Sequence, residues 1–311
     1  MKRNWMKNVV VLSIIVLIFA GCAKKNDLDT LLTYMDSNGM TVKELFDAWI
    51  IKAEDVHDNM ANYYLMDLRG KDKNKNEIID YNDGHVPGAV LTSLSTILND
   101  AEKAGEKTIV VVCYTGQSAG HAVMALRLSG YDDAKVLKWG MSGWNSDFDI
   151  WTKNCGQIES ENWIAEPVAE NTVFKYIQLE CDATEGKEML TERVSVMLND
   201  GFKGIGADKV LNNPSNFFVN NYWEEEDVDK YGHIDTAYRI KPLDLQNIGP
   251  DKTIVTYCWT GQTSSMVTAY LTVLGYDAAS LKYGVNTIIY DMLESHKWST
   301  SKDYDYEVTG K

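Results

Sequence analysis

The stretch Thr108-Ile109-Val110-Val111-Val112-Cys113-Tyr114-Thr115-Gly116-Gln117-Ser118-Ala119 joins an apolar run to a short loop of small and polar residues. A run of β-branched residues is typical of a buried strand. The apolar residues that follow recur at helical spacing as far as Gly130, which predicts a helix that ends at that glycine. Cys113 is therefore expected at the carboxyl end of a strand, in a loop that leads into a helix.

This position would give the Cys113 side chain a chemical advantage. Backbone N–H groups at the start of a helix have no partner within the helix and point towards whatever lies there. They stabilise a thiolate, which is the nucleophilic form of cysteine. A small buried cysteine at a strand end is also common without any chemical role, so one copy does not decide between the two interpretations.

The stretch occurs twice in the chain. Residues 252–264, Lys-Thr-Ile-Val-Thr-Tyr-Cys-Trp-Thr-Gly-Gln-Thr-Ser, align without a gap with residues 107–119, so that Cys258 corresponds to Cys113. Other segments match in the same order, namely 51–65 with 205–219, 84–85 with 232–233, 129–132 with 274–277, and 137–140 with 281–284. An internal repeat of this size predicts two similar domains.

Length and charge narrow the possible classes of function. At 311 residues the chain is long enough for two domains of roughly 100–150 residues, each able to bury a core. It carries 30 Lys and Arg against 45 Asp and Glu, a net charge of −15, and has no basic cluster. An acidic chain has little attraction for nucleic acids or anionic lipids, so neither is expected as a partner.

The first 22 residues have the pattern of an export signal. A positively charged start precedes an apolar segment, residues 9–19, that is too short to span a bilayer as a mature helix. The segment ends in Ala20-Gly21-Cys22, which resembles a bacterial lipoprotein box, although Phe19 stands where leucine is usual. The resemblance implies that Cys22 is lipidated and that this anchor alone holds the protein at a membrane, outside the cytoplasm. An ordinary secretory signal and an uncleaved anchor are the alternatives.

The rest of the chain is expected to form two domains, at residues 41–150 and 185–297, joined by a connector at residues 151–184. A polar tether at residues 23–40 precedes the first domain, and a polar tail at residues 298–311 follows the second. The tail is assigned no role. The connector has no counterpart in the repeat and contains Cys155 and Cys181, which could pair in an exported protein or remain free. The wide spacing of all five cysteines excludes a Cys-x-x-Cys zinc or redox site.

Two polar features precede the Cys113 stretch. Residues 62–68 predict a strand, at whose end Asp67 and Arg69 lie on the same side. A loop-fixing ion pair and a solvated pair are both compatible with that spacing. His85 lies in a turn rich in Gly and Pro, where it could act as a base, although such a histidine more often holds its loop by hydrogen bonds. The charged residues 71–83 between these features have no periodicity and predict a loop.

Together these motifs resemble the rhodanese family of sulfurtransferases in a tandem arrangement. The first copy carries, in the family's order, Asp67-Leu68-Arg69, Gly84-His85-Val86-Pro87-Gly88-Ala89, the cysteine loop from Cys113 to Ser118, and Gly140-Met141-Ser142-Gly143-Trp144. The resemblance implies two α/β domains, each a parallel five-stranded sheet with helices on both faces. The alternation of strand and helix patterns agrees with that fold class. No metal or organic cofactor is implied.

The resemblance also implies a mechanism. A loop cysteine takes a sulfane sulfur from a small-molecule donor such as thiosulfate and carries it as a persulfide. A thiophilic acceptor, such as cyanide or a thiol that could belong to a partner protein, then removes the sulfur. Cys113 and Cys258 are the candidate nucleophiles. Backbone N–H groups of the two loops would hold the persulfide, and the loop residues are Tyr114, Thr115, Gly116, Gln117, Ser118, Trp259, Thr260, Gly261, Gln262 and Thr263.

The sequence departs from the family pattern in two places. Many members carry Arg or Lys in the cysteine loop, whereas the residues here, such as Gln117 and Ser118, are neutral, which argues against thiosulfate as the natural donor. In the second copy Asn221 and Trp223 stand where Asp67 and Arg69 do. We therefore expect Cys113 to carry most of the turnover and Cys258 less.

Two other classes of function compete with sulfur transfer. A non-catalytic lipoprotein that binds ligands, carries sulfur or senses oxidants is the alternative that the neutral loops support. A related phosphatase would need an arginine six positions after the cysteine to hold phosphate. Ala119 and Ser264 stand there, so this class is excluded.

Overall fold

The computed structural model describes residues 26–309. Its strands are β1 (Ile50–Ile51), β2 (Tyr63–Asp67), β3 (Val90–Leu91), β4 (Thr108–Val112), β5 (Lys135–Leu137), β6 (Trp163–Ile164), β7 (Gly204–Ile205), β8 (Phe218–Asn221), β9 (His233–Ile234), β10 (Tyr238–Arg239), β11 (Ile254–Tyr257) and β12 (Ala278–Leu281).

The α-helices are α1 (Asp27–Ser37), α2 (Val42–Leu45), α3 (Ala53–Asp58), α4 (Asp80–Asp83), α5 (Ile97–Ala101), α6 (Gln117–Leu128), α7 (Met141–Trp144), α8 (Gly186–Asp200), α9 (Ala207–Asn212), α10 (Glu225–Tyr231) and α11 (Gln262–Val273). Short 3-10 turns lie at Met60–Asn62, Glu102–Ala104, Ser146–Phe148, Thr152–Asn154, Pro214–Asn216, Leu245–Asn247, Gly284–Thr287 and Tyr290–Met292.

Ten of the strands form two parallel sheets with the same topology. The first sheet has the order β1-β5-β4-β2-β3, and the second, in the same sense, has the order β7-β12-β11-β8-β10. The two remaining strands, β6 and β9, form a short antiparallel pair. The repeat in the sequence is thus a repeat of whole domains, and the predicted fold class is confirmed. In each domain the cysteine follows the central strand, β4 or β11.

The two domains share part of their hydrophobic core. One continuous cluster of buried side chains includes Met124 of α6 and Met266 of α11. Helix α6 is buried on nearly every side, so that its polar residues His121 and Arg127 are buried along with its apolar ones. Its Gly120 lies so close to α11 that a Cβ atom there would come within 3.0 Å of the Gln262 carbonyl oxygen. Because this helix pair belongs to one core, the domains are expected to unfold together.

The tether expected at residues 23–40 is wrong for the part that the structure describes. Helix α1 begins after Asn26, whose side-chain oxygen accepts the N–H of Leu28 (3.2 Å). Leu28, Leu31 and Met35 recur at helical spacing and are buried in the shared core, where α1 packs against α8. The helical spacing of these apolar residues is visible in the sequence. The tether was predicted instead because most of the residues between them are polar.

The C-terminal segment, which was assigned no role, lies across the first domain. We call residues 301–309 the C-terminal strap. The ring of Tyr304 stacks on His57 with centroids 4.1 Å apart, and the Trp144 indole N–H donates to the Asp305 carbonyl (2.8 Å). Glu307 and His85 exchange two backbone hydrogen bonds of 2.9 Å. The strap therefore joins the end of the chain to the first domain.

The connector cysteines are free in the structure. Cys155 and Cys181 are each half-buried and unpaired. Burial raises the pKa of the Cys155 thiol to about 12, and it raises the pKa of the Cys181 thiol as well.

Within residues 26–309, none of the helices has the length and apolarity that a membrane crossing requires. The predicted lipidation site, Cys22, lies outside the described residues.

Candidate active site

Cys113 lies at the carboxyl end of β4, as the sequence predicted. Its Sγ accepts hydrogen bonds from the backbone N–H groups of Gly116 (3.1 Å) and Ala119 (3.4 Å), at the start of α6. Gly116 has a φ of +81°, and a Cβ atom there would collide with the Gln262 amide nitrogen, so only glycine fits. Two N–H groups directed at one sulfur favour a negative charge on it, whether thiolate or persulfide.

A cleft of about 550 Å³ opens over Cys113, and both domains line it. Lys71 and Lys73 of the first domain form one wall. Leu198 and Phe202, at and just beyond the end of α8, form another. The cysteine of the first domain is thus enclosed by residues of the second.

Asp67 and Arg69 form a buried ion pair beside this cleft, which confirms the loop-fixing interpretation. The Arg69 Nη2 group donates to the Asp67 carboxylate (2.6 Å) and to the Gly84 carbonyl (2.6 Å). Its Nε group also donates to Asp67 (3.0 Å), and Nη1 lies 3.4 Å from the Asp80 carbonyl. These contacts engage all three guanidinium nitrogens, so Arg69 holds the cleft wall in place.

His85 is placed to hold its turn. It is only 2% exposed, its Nδ1 lies 2.9 Å from the Tyr81 carbonyl oxygen, and its ring stacks on the Tyr81 ring at 3.9 Å. Its Nε2 lies 3.6 Å from the Glu307 carboxylate of the strap. These contacts match the hydrogen-bonding role that was weighed against a role as a base.

Gln117 and Gln262, expected among the substrate-binding residues, lie between the domains instead. The Gln117 Oε1 atom accepts the backbone N–H of Tyr283 (2.8 Å), and the Gln262 amide donates to the Thr115 carbonyl (2.9 Å). Both side chains are almost fully buried. The packing of α6 on α11 turns these two side chains towards the opposite domain. Of the first loop, Tyr114 and Ser118 line the cleft.

The second cysteine has a different environment. The Cys258 Sγ accepts the Ser264 N–H (3.4 Å), and its thiol lies 3.6 Å from the Ser264 hydroxyl. Trp223, which stands where Arg69 does, is fully buried and stacks on Trp259 at 4.4 Å. Burial raises the pKa of Tyr222 to about 12, and the charge of a Cys258 thiolate adds to that rise.

Two cations of the second domain, Lys241 and Arg239, are paired with a carboxylate. Glu224 lies 2.9 Å from the Lys241 ammonium and 3.9 Å from the Arg239 guanidinium. These two contacts lower the pKa of Glu224. Of the second loop, Thr260 and Gln262 are buried and interact through their side chains (3.4 Å).

Lys73 is the functional candidate that the sequence analysis missed. Its Nζ lies 4.1 Å from the centroid of the Tyr114 ring, which follows Cys113 directly. Burial of the ammonium lowers the pKa of Lys73, and the negative charge of a Cys113 thiolate partly offsets this. Loop residues 114–118 are uncharged, as the sequence predicted. The cleft above them, however, is lined by the positively charged Lys71 and Lys73. The sequence signal that could have identified Lys73 is the group of three lysines, Lys71, Lys73 and Lys75, in the charged segment 71–83.

No cluster of three or more His, Cys, Asp or Glu residues is placed to hold a metal ion within residues 26–309.

Comparison with known proteins identifies the first domain. Residues 52–147 match the model of the rhodanese-like domain. The thiosulfate sulfurtransferase GlpE of Pseudoalteromonas translucida is 30% identical over 69 residues, which are 22% of this chain and 66%, just under two thirds, of that enzyme.

Two solved structures are also similar over most of this chain. The 3-mercaptopyruvate sulfotransferase SseA of Escherichia coli is 16% identical, with 75% of this chain and 97% of that chain covered and a TM-score of 0.31. The thiosulfate sulfurtransferase of Pseudomonas aeruginosa is 14% identical, with 88% and 48% covered and a TM-score of 0.29. The family match rests on the domain model and not on these distant structures. Residues 52–147 thus match the rhodanese-like domain, and the second domain of the chain has the same strand order.

Proposed function

We propose that this protein is a sulfurtransferase that carries sulfane sulfur as a persulfide on Cys113. The observation that carries the proposal is the pair of N–H groups, from Gly116 and Ala119, on a sulfur at the floor of a cleft. The rhodanese-like domain and a curated relative named as a thiosulfate sulfurtransferase support sulfur transfer as the general activity.

The proposed reaction has two displacement steps. In the first, the Cys113 thiolate attacks the outer sulfur of a donor such as thiosulfate, a new S–S bond forms, and sulfite leaves with the electron pair of the broken S–S bond. In the second, an acceptor such as cyanide or a thiolate attacks the outer sulfur of the persulfide, and the Cys113 thiolate leaves. The N–H groups at the start of α6 stabilise the negative sulfur in both states.

Intact-mass measurement after incubation with a sulfur donor tests this proposal. We expect the protein to gain the mass of one sulfur atom per reacting cysteine, and cyanide to remove it with formation of thiocyanate. Cys113→Ala should abolish most of the turnover, whereas Cys258→Ala should retain most of it, because Cys113 faces the two-domain cleft. If Cys258→Ala alone abolished transfer, the assignment of the active domain would be wrong.

We also propose that the protein acts outside the cytoplasm, anchored through a lipid on Cys22. The proposal rests on the sequence Ala20-Gly21-Cys22 after an apolar segment. Labelled fatty acid should enter the wild-type protein in bacterial cells and not Cys22→Ser. Equal labelling of the two proteins would contradict the anchor.

A further inference from the structure

The N–H group of Gly116 and the carbonyl group of Thr115 belong to one peptide unit. The N–H donates to the Cys113 Sγ atom (3.1 Å), and the carbonyl accepts the side-chain amide of Gln262 (2.9 Å). A trans peptide is planar and its N–H and C=O point in opposite directions, so a contact that fixes one of them also aims the other. The hydrogen bond from Gln262 therefore directs the Gly116 N–H at the sulfur.

The amide that makes this contact comes from the second domain. Gln262 is the first residue of α11 and is only 1% exposed. Its Oε1 atom lies 3.4 Å from the Thr260 hydroxyl of its own loop, and its Nε2 group faces Thr115. A backbone carbonyl can only accept a hydrogen bond, so the amide nitrogen must be the atom on that side. Because the amide is buried, loss of this partner would leave polar groups unpaired away from water.

The first domain fixes the preceding carbonyl of the loop but not this one. The Tyr114 carbonyl accepts both the backbone N–H (3.2 Å) and the hydroxyl (2.8 Å) of Ser142, in α7. Within residues 26–309, Gln262 is the one hydrogen-bond partner of the Thr115 carbonyl. The orientation of the Thr115–Gly116 peptide unit thus depends on the second domain.

The reverse contact, from the first domain to the second, does not hold the equivalent peptide unit. Gln117 is the counterpart of Gln262, but its amide donates to the Thr115 hydroxyl of its own loop (2.9 Å). Its Oε1 atom accepts the Tyr283 N–H (2.8 Å). Its hydrogen bonds therefore do not reach the Thr260 carbonyl, which corresponds to that of Thr115.

The two sulfur atoms differ in the same way. Within the part of the chain that the structure describes, the Cys258 Sγ atom accepts one backbone N–H, from Ser264, and none from Gly261. The Cys113 Sγ atom accepts two, and the additional one is that of Gly116. The N–H that reaches the sulfur in one domain and not in the other belongs to the peptide unit that receives a glutamine from across the interface.

We propose that Gln262 is a positioning residue for Cys113, through which the second domain aims the Gly116 N–H at the reacting sulfur. A hydrogen bond to the charged form of a group favours that form, so the contact stabilises the Cys113 thiolate and its persulfide. The effect on the persulfide rests on the proposed sulfur transfer, whereas the effect on the free thiolate does not. The second domain thereby serves the reaction at Cys113 whether or not Cys258 reacts.

The pH profile of Cys113 alkylation tests this role without any sulfur transfer. Only the thiolate reacts with iodoacetamide, and the rate at Cys113 can be followed by peptide mass. Gln262→Met keeps the length of the side chain but lacks the donor, and the midpoint of the profile should rise by roughly 0.5–1 pH unit. Ser265→Ala is the matched control, because it removes another buried hydrogen bond of α11 (2.7 Å), at the same interface, and should leave the midpoint unchanged. Equal midpoints in the wild type and Gln262→Met would overturn the proposal.

Amide exchange in the wild type tests the same contact without a variant. The chain has three Thr-Gly pairs, at residues 115–116, 260–261 and 309–310, so carbonyl-labelled threonine with nitrogen-labelled glycine gives one signal for each pair in a carbonyl-correlated spectrum. The amide of Gly116, which is bonded to sulfur, should exchange with deuterium more slowly than that of Gly261. Exchange of Gly116 as fast as that of Gly261 would overturn the proposal even if Gln262→Met did not fold.

Steady-state kinetics connect the contact with turnover. With thiosulfate as donor, Gln262→Met should lower kcat about tenfold and leave KM within a few fold, because the peptide unit stabilises charge on the sulfur and does not hold the donor. A rise in KM with kcat unchanged would contradict a positioning role. If the wild type transferred no sulfur while the alkylation midpoint still depended on Gln262, the proposed function would fail but the positioning of the Gly116 N–H would stand.

Discussion

Replacement of Asp67 by Asn should destabilise the protein strongly, because it leaves the Arg69 guanidinium buried without its counter-charge. Asp67 and Arg69 are 0% and 1% exposed, and their closest atoms are 2.6 Å apart. Removal of one partner from such a buried pair costs about 3–5 kcal/mol. The amide oxygen of the substituted side chain can still accept the Arg69 backbone N–H that now reaches Asp67 Oδ1 (2.9 Å), so we expect the lower end, about 3 kcal/mol. Domains are stable by only about 5–15 kcal/mol, so such a loss is large.

Urea unfolding followed by tryptophan fluorescence and far-ultraviolet circular dichroism measures this loss. The shared core predicts that the two signals change in one transition, so that a single free energy of unfolding can be compared between variants. Asp200→Asn is the matched control, because Asp200 and Lys203 are 3.1 Å apart but more than two fifths exposed. That substitution should cost less than about 1 kcal/mol.

A double variant separates the charge from the packing. Asp67→Asn with Arg69→Met removes both charges and should be less destabilised than the sum of the single variants, since no unpaired charge remains buried. The second domain, with Asn221 and Trp223 at these positions, already has the same fold without the pair. If Asp67→Asn were no more destabilising than Asp200→Asn, the account of the pair as a buried support would be refuted.

Two further predictions concern buried groups elsewhere. Burial lowers the pKa of His121 from 6.5 to about 4. Between these pH values the unfolded chain therefore binds more protons than the folded chain does. The free energy of unfolding should fall by roughly 3 kcal/mol when the pH is lowered from 7 to 4. His121→Gln should show a smaller fall in the same urea titrations, and an equal fall would contradict this assignment. Replacement of both Cys155 and Cys181 by Ser should leave sulfur transfer within a few fold of the wild type in a thiocyanate assay, because neither thiol lines the Cys113 cleft. A loss as deep as that of Cys113→Ala would count against Cys113 as the main carrier.

The sequence alone determined the domain repeat and the position of each cysteine. The run of β-branched residues before Cys113, the glycine that follows it and the helical spacing beyond are all local signals, and the second copy around Cys258 repeats them. Local signals suffice here because a strand, a tight turn and a helix start depend on residues that are neighbours in the chain. The pairing of Asp67 with Arg69 could also be expected from the sequence, because the two residues are only two positions apart at the end of one strand.

Only the tertiary structure decided what surrounds the sulfur. Lys73 and Phe202 meet in one cleft although they lie far apart in the chain, and nothing in the local pattern of either segment signals the other. Gln117 and Gln262 carry the sequence pattern of loop residues, yet the packing of α6 on α11 commits their side chains to the other domain. The strap at Glu307 reaches His85 from the far end of the chain. Contacts of this kind depend on how the folded domains pack together. They cannot be inferred from the spacing of apolar residues along the chain.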